Sequence, residues 1–435
     1  LAHLTVKAET SSIIIYFTQV LRFIRGLPSF IRVDAVMLPM IGFPSVVEEH
    51  AGFFRRMFSW HQFRRFKQYL SGLITGRKPT VRSIASRLVE PADQSSLNRF
   101  LTLYNWDDEM VNGRRLELLQ STRATRWSWD GVVAIDDTLL PKTGRKMPGA
   151  GKLWDHNSGS YVHAQCLVTS HYVDEEKDYP IGLRQYFKHD SREAERYGFK
   201  TKLELAMQLV DECERLGVAA ENYVFDSWYL SRELAEHIET YGKGWVSRLK
   251  SNRVVYHGKR RMGVKEFRDA LPREAFREVN VLDKSRWVYT RVLDVNKLGK
   301  VRVVICYDNP DLEGEPIYLV TSRLYWEERR VIQCYSLRFR IDSFYKDAKQ
   351  NLGLGGCQLR SLKGTKKHWL LGITGYSLLK LRICRSRLYR RLQSDRTVGA
   401  ECRQAFKDLL QNLIQYVYKM ADKLPVNKIL DVILK

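Results

Sequence analysis

The chain has 435 residues, 44% of them apolar and 11% aromatic, and 72 Lys and Arg against 49 Asp and Glu give a formal net charge of +23. This is too apolar and aromatic for a disordered polyelectrolyte, and long enough for two or three domains with cores of their own. The charge argues for a polyanionic ligand, nucleic acid first.

The run from Ser12 to Val47 is apolar, but Arg22, Arg25 and Arg32 interrupt it before a membrane span of about 20 residues accumulates. Residues 1–50 are therefore an N-terminal extension without an assigned role, and no membrane partner is expected. Residues 51–89 hold nine Lys and Arg and no acid, Arg64 and Arg65 among them, interleaved with aromatic residues such as Phe58, Trp60 and Phe63. Val81, Ile84, Ala85 and Leu88 form a helical stripe. A break at Glu90-Pro91-Ala92-Asp93 follows, and Ser95 or Ser96 is placed to cap a second helix carrying Leu97, Phe100 and Leu101. Two helices about a short turn on a basic background suggest a helical DNA-binding region over 51–125; an ordinary helical hairpin with a solvated basic face fits the same pattern.

Strand-like texture begins at Gly131. Val132–Asp136, Val162–Val173, Tyr179–Phe187, Asn222–Phe225 and Trp245–Leu249 read as strands, and Lys202–Leu216 and Leu230–Tyr241 as helices. Pro141–Lys152 reads as a loop. Residues 126–250 thus form the first part of an α/β core. Residues 251–320 alternate and carry Gly breaks, which predicts a β-rich insertion. A long helix is expected over Glu327–Gln350 within a second core part, 321–395, where residues 358–394 hold ten basic residues and no acid, including Lys366 and Lys367. The tail, 396–435, carries Phe406, Leu409, Leu410, Leu413, Ile414 and Val417 at helical spacing, for a dimer contact or for packing on its own domain. Seven cysteines without a CxxC pair read as reduced thiols of a cytosolic protein, not as a zinc site or disulfide framework.

Asp136-Asp137 and Asp226 stand at strand ends, where a sheet can expose side chains on a rigid support. Asp also ends strands as a plain turn former. On a continuous helix Tyr335, Arg338, Asp342 and Lys349 would fall on one stripe. A carboxylate among a phenol, a guanidinium and an ammonium suits a metal ion and phosphates; a solvated Arg338–Asp342 pair suits it equally.

Together these segments resemble the DDE/D transposases of bacterial insertion sequences, the group with a Tyr-x2-Arg-x3-Glu-x6-Lys signature. Here it reads Tyr335-x2-Arg338-x3-Asp342-x6-Lys349, with Asp in place of the usual Glu. Ala134-Ile135-Asp136-Asp137-Thr138 resembles the first-acid box, and Tyr223-Val224-Phe225-Asp226-Ser227 stands where the second acid belongs. Neighbouring strand residues face opposite ways, so one of Asp136 and Asp137 faces the site; the motif favours Asp137.

The resemblance implies a ribonuclease-H-like mixed α/β sheet flanked by helices, with a β insertion before the third acid. It implies cut-and-paste transposition, in which Asp137, Asp226 and Asp342 hold two Mg²⁺ ions, replaceable by Mn²⁺. Arg338 and Lys349 would hold phosphates, and Tyr335 the DNA backbone. Trp287 and Trp326 are candidates for stacking on a flipped base in a hairpin step. The expected partners are the terminal inverted repeats and target DNA, bound by a homodimer in a synaptic complex, in the prokaryotic cytoplasm at the nucleoid. A domesticated or inactive ribonuclease-H-like nuclease, or a DNA-binding regulator of the same descent, would carry the same residues.

Overall fold

The computed structural model describes residues 38–76, 79–89, 93–144, 146–258, 260–389 and 396–433. Residues 1–37 of the extension, the break at Glu90-Pro91-Ala92, and the basic Arg390 and Arg391 lie outside them. Contacts divide the described chain into two compact units: Thr125–Lys346, and the residues up to Ala124 together with those from Asp347 on.

The first unit is built on one sheet. Its strands are β1 (Val132–Pro141), β2 (Gly151–Asp155), β3 (Ser160–Val173), β4 (Asp178–Tyr186), β5 (Asn222–Phe225), β6 (Gly244–Arg248), β7 (Val254–His257), β8 (Arg260–Gly263), β9 (Arg277–Val281), β10 (Lys284–Val295), β11 (Gly299–Tyr307) and β12 (Ile317–Thr321). The order runs β2-β3-β1-β5-β6-β12-β11-β10-β7-β8, with β4 on β3 and β9 on β10. β1 is antiparallel to β3, and β3 to β4, whereas β5 and β6 are parallel to β1. This mixed arrangement, flanked by helices, fits a ribonuclease-H-like core.

The central strands open with unbroken apolar stretches because both faces of the sheet are covered there. Val132 to Ile135 and Tyr223 to Phe225 are buried without interruption. The helix Lys202–Arg215 starts sharply at a capping box between Thr201 and Glu204 and packs on β3 and β4. The helix Phe339–Asn351 covers the other face of β3: Tyr345 Oη lies 2.6 Å from Thr169 Oγ1, and the Phe344 ring 4.5 Å from that of His171.

Three local readings of the sequence change. The loop expected over Pro141–Lys152 ends in β2, which pairs with the start of β3. Strands β7 to β12 occupy the stretch read as an insertion, and they prolong the main sheet because β12 pairs with β6, Thr321 facing Val246. The long helix expected over Glu327–Gln350 is two helices, Glu328–Ser336 and Phe339–Asn351. At the join the amides of Leu337, Arg338, Arg340 and Ile341 each donate to the carbonyl three residues back. That tighter winding advances the chain by about 120° per residue instead of 100°, which keeps Tyr335 and Arg338, three apart, on the same side, with Asp342 next to Arg338.

The second unit is helical. Its longest helix, Leu362–Tyr389, buries Trp369, Leu371, Tyr376, Leu378 and Leu379, and packs on the helices Trp60–Thr75, Gln94–Thr102 and Asp108–Ser121. The helix Gln94–Thr102 buries Leu97, Phe100 and Leu101 as their spacing predicts, but its cap is Asp93, which accepts from the Ser96 amide at 2.6 Å, and not Ser95 or Ser96. The Val81–Leu88 stripe is helical only to Ala85. In the tail helix Val398–Ala421, Leu413 and Val417 pack against Leu38 and Ile429, so its apolar face is covered by its own unit.

Candidate active site

The register of the sheet sorts the carboxylates. Ile135 of β1 pairs with Phe225 of the parallel β5, so one step on Asp136 stands beside Asp226 and both point to the same face. Across the other edge of β1, Asp136 pairs with Thr169, the residue touched by Tyr345, so this is the face covered by the helix Phe339–Asn351. Asp342 lies in the first turn of that helix.

Arg338 knits this face together. Its Nη1 donates to Asp136 Oδ2 at 2.6 Å, and its Nη2 lies 3.6 Å from Asp342 Oδ2. The guanidinium is mostly buried, and its Nε has no acceptor among the described residues. Burial is the main force on Asp136. It pushes the carboxyl up to about 7 against the pull of Arg338, with the negative charges of Asp137 and Asp226 adding to the rise. Asp342 is raised for the same reasons: burial first, with Arg338 opposing and Asp226 adding. The Asp342 side chain is about half exposed, so its rise is the weaker of the two shifts as evidence.

The expectation that favours Asp137 meets a different placement. Asp137 points to the opposite face, as strand alternation requires. There its Oδ2 accepts from Lys202 Nζ at 2.7 Å and from Cys166 Sγ at 3.3 Å, and its Oδ1 accepts from Tyr229 Oη at 2.9 Å. It meets neither Arg338 nor Asp342. Asp226 holds a turn: its Oδ1 accepts from the amides of Trp228 and Tyr229 at 2.9 and 3.2 Å.

The remaining candidates divide by exposure. Tyr335 is 7% exposed, and its ring packs under Arg338 and beside Phe339. Its environment is that of a support for Arg338, not of a surface contact. Lys349 is exposed in the last turn of its helix. Arg64 is half-buried over the Trp60 ring, and Arg65 donates to Gln68 Oε1 at 2.5 Å. Lys366 is exposed, but Lys367 is fully buried, donating to the Tyr104 carbonyl at 2.8 Å and lying 4.0 Å from the Trp106 ring centroid. Burial depresses its pKa to about 8. Lys367 is therefore not a surface cation. Trp287 is half-buried between β9 and β11, and Trp326 lies under Arg330. Sequence reasoning missed Lys202 and Tyr229 altogether; Lys202 opens a helix and Tyr229 follows the second acid, but neither position announces a partner on β1.

Comparison with known proteins places the chain in a family. Residues 54–271 match the family described as DDE superfamily endonuclease, a stretch that takes in Asp136 and Asp226 and stops short of Asp342. Over 212 residues, 48% of the chain, it is 24% identical to the probable transposase for insertion sequence element IS701 of Microchaete diplosiphon. The match spans 55% of that relative's length. With half of its length matched by the family, and with paired acids on adjacent parallel strands, the chain belongs to the DDE superfamily endonucleases.

Proposed function

We propose that the protein is a transposase of an insertion sequence, which binds the terminal inverted repeats of its element and moves it by metal-dependent strand cleavage and strand transfer. The observation that carries this reading is the meeting of Asp136 and Asp342 at Arg338, with Asp226 beside Asp136 on the adjacent parallel strand end. The similarity to the IS701 transposase supports it. In this reading Asp136 takes the place that the motif alone favours for Asp137.

The donors suit Mg²⁺ or Mn²⁺ in chemistry: three carboxylates, hard oxygen ligands. As the side chains stand, no three such groups are close enough to hold one ion among the described residues. Arg338 instead neutralises Asp136. Holding an ion requires Arg338 to release Asp136, and a scissile phosphate supplies the acceptor that the guanidinium then needs. When bound, divalent ions activate the attacking oxygen and stabilise the leaving one. Arg338 is the phosphate clamp, Lys349 and Lys366 add cationic contacts to the DNA backbone, and Arg64 and Arg65 contribute from the helix Trp60–Thr75. Two copies on two element ends would form the synaptic complex, at the nucleoid.

The test is cleavage of a duplex carrying the element's terminal repeat in Mg²⁺ or Mn²⁺. Asp136→Ala, Asp226→Ala and Asp342→Ala should each abolish cleavage and keep DNA binding. Full cleavage by Asp136→Ala would return the first acid to Asp137.

A further inference from the structure

Two adjacent aspartates lie on β1, and the site uses one. The other is not idle. Asp137 takes three donors from three separate pieces of the chain: Tyr229 Oη from the turn after β5, Lys202 Nζ from the start of a helix, and Cys166 Sγ from β3. The same turn bears Asp226, whose carboxylate is held by the amides of Trp228 and Tyr229. Lys202 also lies 5.1 Å from the Trp228 ring centroid. A lysine in the first turn opposes the helix dipole, so the helix itself gains nothing from it. Its position is explained by what it reaches.

We propose that Asp137 is a positioning residue, the anchor that fixes the Asp226 turn to the strand bearing Asp136. The side chain crosses to the far face of the sheet, and Tyr229 brings the turn back to it. The separation of the Asp136 and Asp226 carboxylates is then set by hydrogen bonds that touch neither DNA nor ion. This deepens the proposed function and rests on the assignment of Asp136 and Asp226 as acids of the site.

Tyr229→Phe is the cleanest probe, because it removes one hydroxyl and keeps the ring; Asp137→Asn is the second. Three measurements are made on the full chain: thermal melting, Mn²⁺ binding by calorimetry without DNA, and kcat and KM for terminal-repeat cleavage. The expected result for Tyr229→Phe is melting within about 4 °C of wild type. Its Mn²⁺ affinity and kcat should each fall about tenfold or more, with KM for DNA unchanged. Asp137→Asn should show the same pattern, more strongly. Unchanged Mn²⁺ affinity and kcat in Tyr229→Phe would overturn the proposal, as would losses that merely follow the melting temperature. Asp226→Ala separates the levels. If it still cleaves, the acids themselves are misassigned; if it is inactive while Tyr229→Phe is normal, the anchor alone is refuted.

Discussion

The two faces of β1 offer a controlled comparison. Asp136 and Asp137 share one strand and one chemistry, and both are half-buried. On one face the partners are a cation with an unmatched Nε and two further carboxylates. On the other they are Lys202, Tyr229 and a thiol, three donors to Asp137 from within the fold. The two faces differ in how far their charges are met within the fold, and on the proposed reading the Asp136 face is the one that receives the ion and the phosphate.

The largest expected effect tests that division directly. Asp136→Ala, Asp226→Ala and Asp342→Ala should each lower cleavage by about 10³-fold or more, ~4 kcal/mol of transition-state stabilisation. Asp137→Asn should retain measurable turnover, because it disturbs geometry and removes no ligand. Equal losses at Asp136 and Asp137, measured as single-turnover rates, would erase the distinction between the faces.

Arg338 comes next. Arg338→Ala should lower cleavage by about 10²-fold, the scale for removing one aimed donor. Arg338→Lys should recover little, since a point charge cannot grip a phosphate through a planar two-pronged fork. Recovery to near wild-type rate by lysine would reduce Arg338 to a general cation.

Much of this is legible in the sequence. The strand pattern over 132–248 and the acids at strand ends follow from continuous apolar runs, which central strands must have. The faces that Asp136 and Asp137 take are not, because alternation gives two opposite faces without saying which one a distant helix will cover. The broken signature helix was hidden for a related reason: nothing in Ser336-Leu337-Arg338 forbids a helix, and the join is imposed by seating Tyr345 on Thr169 and Arg338 on Asp136 together. Lys367 misled because ten basic residues in a row of helices read as surface, whereas a helix buried by three neighbours must turn some of them inward.

Asp136 also makes a stability prediction that opposes its catalytic one. Its carboxyl titrates near 7 in the fold and near the ordinary 3.8 when unfolded. The folded state holds more protons between these values, so its contribution is full below pH 3.8 and is lost as pH rises through 7. Asp136→Asn should therefore melt above wild type at pH 8 without added metal, by about 2–4 °C for each ~1 kcal/mol relieved, and close to it at pH 4. An Asn variant less stable at both pH values would show that the Arg338 pair outweighs burial.

The smallest effect contrasts two neighbouring lysines in the helical unit, as the aspartates are contrasted in the sheet. Lys366 is exposed, and if it meets a DNA phosphate, Lys366→Ala should reduce the slope of log affinity against log salt by about 1, uniformly across sequences. Lys367 is buried on the Tyr104 carbonyl and the Trp106 ring. Lys367→Met should leave that slope unchanged and act on stability instead. With its pKa held near 8, the native state binds fewer protons than the unfolded chain between about 8 and 10.5, so wild type gains stability as pH rises through that window. The methionine variant should lack this rise. A salt slope that falls with Lys367→Met and stands with Lys366→Ala would mean that the DNA-facing side of this helix has been drawn on the wrong residues.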